Sequence, residues 1–365
     1  MTHRLDPKKD PARRCLKPEQ WPALDRAAWL TVIEPGNILE LGGRGAEWAP
    51  LTRHNIARCY GGWLTWLDRS GLLDPTLEPA DRVGPERVVQ YINDLRTRSS
   101  GYTVLSRIRA LCTTVQAMAP DRDWRWLQKI NRRLRNSVKP KRKKETLIVP
   151  VDHLWSYGLE LMHTAETSPN LSDLARAAQY RDGLIIAFLA ARPIRRRNLA
   201  AIEIGRHLVR RGERYWICLP AAETKTRVPY EAPIPYVLVS FLERYLTRHR
   251  PFLVQHTGRW GESRPLQDPG DRLWISNYGS AMSEGAIYGR VIKLTSVRFG
   301  HGINLHLFRD IAGTSIAVED PGHVQITTSL LGHTTLATSE KHYNHARSLE
   351  ATRRYQAHVL ALRRR

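Results

Sequence analysis

Cysteine is scarce. Of 365 residues only Cys15, Cys59, Cys112 and Cys218 carry a thiol, and no two of them form a C-x-x-C pair. That spacing argues against a disulfide framework or a clustered thiolate zinc site, and suits reduced thiols inside a cell. Long apolar runs are also missing. The most apolar stretch, Gly183 to Ala191, is about half of what a bilayer-spanning helix needs, so it reads as a buried helix. Met1 to Arg14 are mixed in charge and contain Pro11, without the apolar core of a secretory signal, so a cytoplasmic location without membrane attachment is expected. No repeat of solenoid period and no long low-complexity stretch is present. Acidic residues are few: 35 Asp and Glu face 57 Lys and Arg, a net charge of +22. Such an excess calls for an anionic partner, and with this length it favours double-stranded nucleic acid over a merely basic chain or a ribosomal-type RNA binder.

At this length two domains are expected. Residues 1–42 carry one short helical pattern, with Trp21, Leu24, Ala28 and Trp29 at helical spacings after Pro18, and read as an N-terminal arm or an extra helix. Residues 43–138 read as four amphipathic helices. Thr52 is the expected cap of the first, and Arg132, Arg133 and Arg135 give the last a basic outer side. Residues 139–146, Lys-Pro-Lys-Arg-Lys-Lys-Glu-Thr, read as a basic linker that proline and like-charge repulsion keep open. Residues 147–365 form the second domain. After Ile204 the periodicity changes from helical to alternating: Tyr215-Trp216-Ile217-Cys218-Leu219 follows a turn at Arg211-Gly212-Glu213, and another run spans Val228 to Ile234. Lys225 falls in or beside the turn between these last two strands. Leu273-Trp274-Ile275-Ser276 reads as one more short strand, Tyr236 to His249 as helix, and Ser283 as a helix cap.

Chemistry-bearing residues gather towards the end. His306 and Arg309 stand three apart in a helical pattern, hence on one face. His333 follows an apolar helix and a glycine, and Tyr343 lies among Lys341, His342 and His345, a positive setting for a phenol. Reading the four histidines as metal ligands competes with this, but Lys341 would repel a cation.

The order His306-x-x-Arg309, Leu-Gly-His333 and Tyr343 resembles the second box of the tyrosine recombinase, or phage integrase, family. Members of that family have an apolar helix, a turn, an arginine and an acidic residue before Leu-x-x-Leu. Aligning Leu199-Ala200-Ala201-Ile202 on the last element puts the arginine at Arg195, with Arg192, Arg196 and Arg197 as competitors and Asn198 at the acidic position. The family's β-turn lysine then corresponds to Lys225. The resemblance is close over roughly 180–346, loose over 43–140 and absent over 1–42. It implies a mainly α fold with a small antiparallel β-sheet: a helical, SAM-like core-binding domain and an integrase-type α+β catalytic domain clamping a duplex between them. It also implies DNA strand cleavage and rejoining through a 3′-phosphotyrosine, with catalytic residues Arg195, Lys225, His306, Arg309, His333 and Tyr343 and no cofactor or metal. The expected partners are double-stranded DNA, three further copies in a homotetramer on paired sites, and an accessory directionality factor. A type IB topoisomerase-like enzyme and a catalytically decayed, DNA-binding integrase are the rival readings.

Overall fold

A computed structural model describes residues 10–138, 147–256 and 268–319, with side chains to 316. The chain divides into two units, Met1–Lys141 and Arg142–Arg365, each with its own apolar core.

The first unit contains α1 (Ala23–Ile33), α2 (Pro50–Arg69), α3 (Pro85–Arg98), α4 (Gly101–Met118) and α5 (Arg125–Ser137). Tyr60, Trp63, Leu64 and Leu67 of α2 recur at the spacing of one helix face and are wholly buried. Around them pack Val88, Tyr91 and Leu95 of α3, Ile108 and Leu111 of α4, and Leu127 of α5. Trp21, Trp29 and Val32 belong to the same core, so the helix within residues 1–42 is packed on this unit. The expected cap at Thr52 needs correction. Pro50 opens α2, where its missing N–H costs no hydrogen bond, and the Thr52 N–H donates to the Ala49 carbonyl (2.8 Å) inside the first turn. One ionic group lies inside this core: Asp25 accepts from the Tyr60 hydroxyl (2.5 Å) and from Arg82 Nη2 (2.6 Å), and all three side chains are excluded from solvent.

The second unit starts with α6 (Val151–Thr167) and α7 (Asp173–Ala191). The backbones of the two helices touch at Gly158 and Gly183, where a Cβ on Gly158 would lie 2.6 Å from Ala187 N and one on Gly183 2.7 Å from Gly158 O. The apolar run Leu184–Ala190 is buried in α7, as its composition predicts. After α8 (Arg196–Ala200) come β1 (Leu208–Arg211), β2 (Arg214–Leu219) and β3 (Tyr230–Pro233), an antiparallel sheet in that order. Gly212, at φ 62°, makes the tight β1–β2 turn, and alternate residues Tyr215, Ile217 and Leu219 face the core.

α9 (Tyr236–Arg244) runs through a π turn, Tyr245–His249, into α10 (Arg250–Gln255), so Tyr236 to His249 is helical but not one α-helix. The extra residue in that turn lets Tyr245 donate to Leu273 O (3.0 Å) and lets His249 stack on Tyr180 while it bonds Glu166 (2.8 Å). Leu273–Ser276 is not a strand. Its backbone bonds go to Ile202 on one side and to Met282, Ser280 and Gly279 on the other without forming a ladder, and only an isolated bridge, Ile275 to Ala281, forms there. Ser283 caps α11 (Glu284–Phe299) through Ala286 N, and Gly300 in the left-handed region ends it. α12 (Leu305–Glu319) follows. Among the described residues no helix is long and apolar enough to cross a membrane.

Candidate active site

The site is built where the end of α7 meets the start of α12. Asn304 caps α12, its Oδ1 accepting from the N–H groups of His306 and Leu307 at 3.0 Å each, which sets the first turn that carries His306 at the surface. One turn later Arg309 is only 6% exposed, and its Nη1 donates to the Pro193 carbonyl at 2.6 Å. This bond ties α12 to the turn after α7, two residues before Arg195. Burial, and then the neighbouring charge of Arg195, push the Arg309 guanidinium down to about 10, well below its ordinary value. Burial lowers Arg195 as well. Two cations far apart in sequence thus lie near enough for the charge of one to act on the other.

Two of the three competing arginines do other work. Arg192 donates to Pro233 O (3.0 Å) and Ala191 O (2.8 Å), joining α7 to the end of β3. Arg196 pairs with Glu284 (3.1 Å) and lies over the Tyr288 ring. Arg197 is exposed. Arg195 is the one whose charge bears on Arg309.

Lys225 is exposed in the connection between β2 and β3. Sequence reading missed what holds that connection. Asn198, 8% exposed, donates from Nδ2 to the Glu223 carbonyl (3.3 Å), so the helix that follows Arg195 is bonded to the backbone two residues before Lys225. The Glu223 carboxylate is fixed in turn: it accepts from His207 Nε2 (2.8 Å) and pairs with Arg206. The Glu203 N–H donates to His207 Nδ1 (3.1 Å), which puts the imidazole proton on Nε2. An acidic side chain at 198 could not donate to a carbonyl, so asparagine is the residue type this contact requires.

A second group the sequence did not signal is Tyr230, at the start of β3. Its hydroxyl is buried with no hydrogen-bond partner among the described residues. Burial raises its pKa, and the charges of Arg192 and Arg309 act against that rise. Nothing in a β-strand pattern marks such a tyrosine, because its neighbours come from α7 and α12. His333, Tyr343 and the helix expected after Tyr343 lie outside the described residues. Among the described residues no group of three or more His, Cys, Asp or Glu side chains is placed to hold a metal ion.

No family model matches the sequence, and no curated relative does. Solved structures do match. The chain is similar to the XerH site-specific recombinase bound to difH substrate in a pre-cleavage complex, with 17% identity, a TM-score of 0.54, and 83% of this chain and 79% of that one covered. It is also similar to the same recombinase in a post-cleavage complex on palindromic difH, with 14% identity, a TM-score of 0.53, and 80% and 76% covered. A lambda integrase dimer on a COC' core site matches at 14% identity and a TM-score of 0.48, with 94% and 82% covered. Over the part covered, the mainly helical chain with its three-stranded antiparallel sheet therefore has the fold of these tyrosine-type site-specific recombinases.

Proposed function

We propose that this chain is a site-specific DNA recombinase that cuts and rejoins strands through a 3′-phosphotyrosine and integrates or excises a mobile element. The observation that carries the proposal is that the Arg309 guanidinium, bonded to the Pro193 carbonyl two residues before Arg195, is buried within reach of the Arg195 charge. A scissile phosphate is the anion that offsets such a pair. A phosphodiester gains negative charge as a fifth bond forms at phosphorus, and planar guanidinium forks that keep their protons stabilise it best.

In the proposed reaction the Tyr343 oxygen attacks phosphorus while His306 takes the phenol proton. A phenol with an ordinary pKa near 10 is only about one part in a thousand ionised at neutral pH, so it needs such a base. The bond from phosphorus to the 5′ oxygen breaks, and Lys225 protonates the departing oxygen. His333 donates to a nonbridging oxygen. The 5′ hydroxyl of a second duplex then reverses the step, so the phosphodiester energy is retained and neither ATP nor a metal enters the balance. Paired sites and a homotetramer follow from the exchange of strands between two duplexes, and the core-binding domain, basic linker and catalytic domain are assigned to residues 43–138, 139–146 and 147–365.

The test is a trapping experiment. Nicked duplexes from the DNA adjoining the gene are incubated with the full chain in chelator and resolved on a denaturing gel. A slow covalent species with the wild type, absent with Tyr343→Phe, is the expected result. Tight, salt-sensitive binding without any adduct would overturn the enzymatic reading in favour of a decayed binder.

A further inference from the structure

Residues 34–43, between α1 and α2, form a closed loop in the first unit. Gly43 N–H donates to Glu34 O (3.0 Å) across its base, and a Cβ on Gly36 or Gly42 would collide with the other's backbone, so the two sides are pinched together. At the tip Asn37 organises the turn: its Oδ1 accepts from Leu39 N (2.8 Å) and Glu40 N (2.9 Å), and its own N–H donates to Glu40 O (3.1 Å). None of these bonds needs an apolar side chain. Yet Ile38, Leu39 and Leu41 occupy the tip at 103%, 94% and 102% exposure. Isolated exposed aliphatics need no explanation, but three within four residues on an ordered tip do.

The same unit carries a cavity of about 340 Å³, the size of a small-ligand pocket. Trp29, Ile33 and Ala57 form its apolar wall, while Lys17 and Arg58 outnumber Glu19 at its polar edge. The loop is the reverse in charge: residues 34–43 hold two glutamates and no Lys or Arg, in a chain of +22. Those carboxylates would be repelled by the phosphates of a duplex.

We infer that the loop of residues 34–43 docks into this cavity on a second copy of the chain. The loop starts one residue after Ile33, which lines the cavity, so loop and cavity adjoin on one unit and the contact joins copies either reciprocally or in series. Three aliphatic side chains cover far less than the roughly 800 Å² per partner of a stable interface. The contact therefore forms where copies are already side by side, as on one duplex, through their effective concentration. It requires neither Tyr343 nor strand cleavage, so it stands apart from the proposed chemistry.

Cys15 lines the cavity and makes the test direct. Leu39→Cys is introduced into the full chain, which is mixed with a long random-sequence duplex, oxidised gently and run on a non-reducing gel. Disulfide-linked dimers or larger oligomers are expected, formed about tenfold less without DNA and lost when Cys15→Ser is added. Glu40→Lys should lower the yield to a similar degree, and Arg58→Glu in the same chain should restore it. Three results overturn the inference: no Cys15-dependent cross-link, a cross-link confined to single chains, or failure of the charge swap to restore the yield. A fourth does so in favour of direct DNA contact: weaker binding of a short one-protomer duplex when Ile38, Leu39 and Leu41 are changed to serine at unchanged melting temperature.

Discussion

At the scale of single residues, Arg309 shows what it costs to bury a cation beside another. Its pKa is about 10 in the folded chain, below the ordinary guanidinium value, because burial and Arg195 both disfavour the charge. A cation lowered in this way binds its proton more weakly when folded than when unfolded, so at neutral pH its charge opposes folding. The penalty lifts as pH rises above about 10. An anion in the site removes the same penalty at neutral pH. Inorganic phosphate should therefore raise the melting temperature of the second unit by several degrees at concentrations well above its dissociation constant, and Arg309→Met should abolish most of that rise. Calorimetry with sodium chloride at matched ionic strength checks it; an equal rise in both proteins would mean that the phosphate binds elsewhere. The spacing of Arg309 to His306 was legible in sequence as one helix face. The Pro193 carbonyl that anchors Arg309 was not, since a backbone acceptor 116 residues away leaves no trace in composition or period.

At the scale of elements, the hairpin could be read because alternation and Gly212 are local signals, and Lys225 could be placed between strands for the same reason. Leu273–Ser276 misled because a short buried run such as Leu273-Trp274-Ile275 looks the same whether its backbone bonds form a ladder or scatter among several partners. Asn198 is the more instructive case. Its place in the chain said only that an amide stood where the resembled family has an acid, while its contact with Glu223 O shows what the amide does: it fastens α8 to the connection that carries Lys225. Asn198→Asp replaces the donor with an anion facing a carbonyl, at a cost of about 1–3 kcal/mol to the local contact. Cleavage of a nicked duplex is expected to slow about tenfold, with binding unchanged. A duplex with sulfur in place of the scissile 5′ oxygen should be cleaved at nearly the wild-type rate, because a thiolate leaves without a proton. Loss of cleavage on both duplexes would mean that Asn198 acts on the whole site and not through Lys225.

At the scale of the whole molecule, charge and length pointed to a nucleic-acid partner and two units, but neither could tell how each unit is stabilised. The first has an ionic group in its core. Asp25→Asn leaves Arg82 buried without its counter-charge, a loss of roughly 3–5 kcal/mol when a buried pair is broken from one side. Since the two cores share no residue, calorimetry should resolve two transitions, and Asp25→Asn should lower only one of them. A single transition that moves as a whole would show that the units unfold together. Arg82 could not be singled out among so many arginines, because surface and core arginines look alike in a sequence this basic.

The separateness of the cores also bears on descent. A genetic crossover between positions 138 and 147 leaves the described residues of each core together, so each unit can be inherited with a new companion and keep that packing.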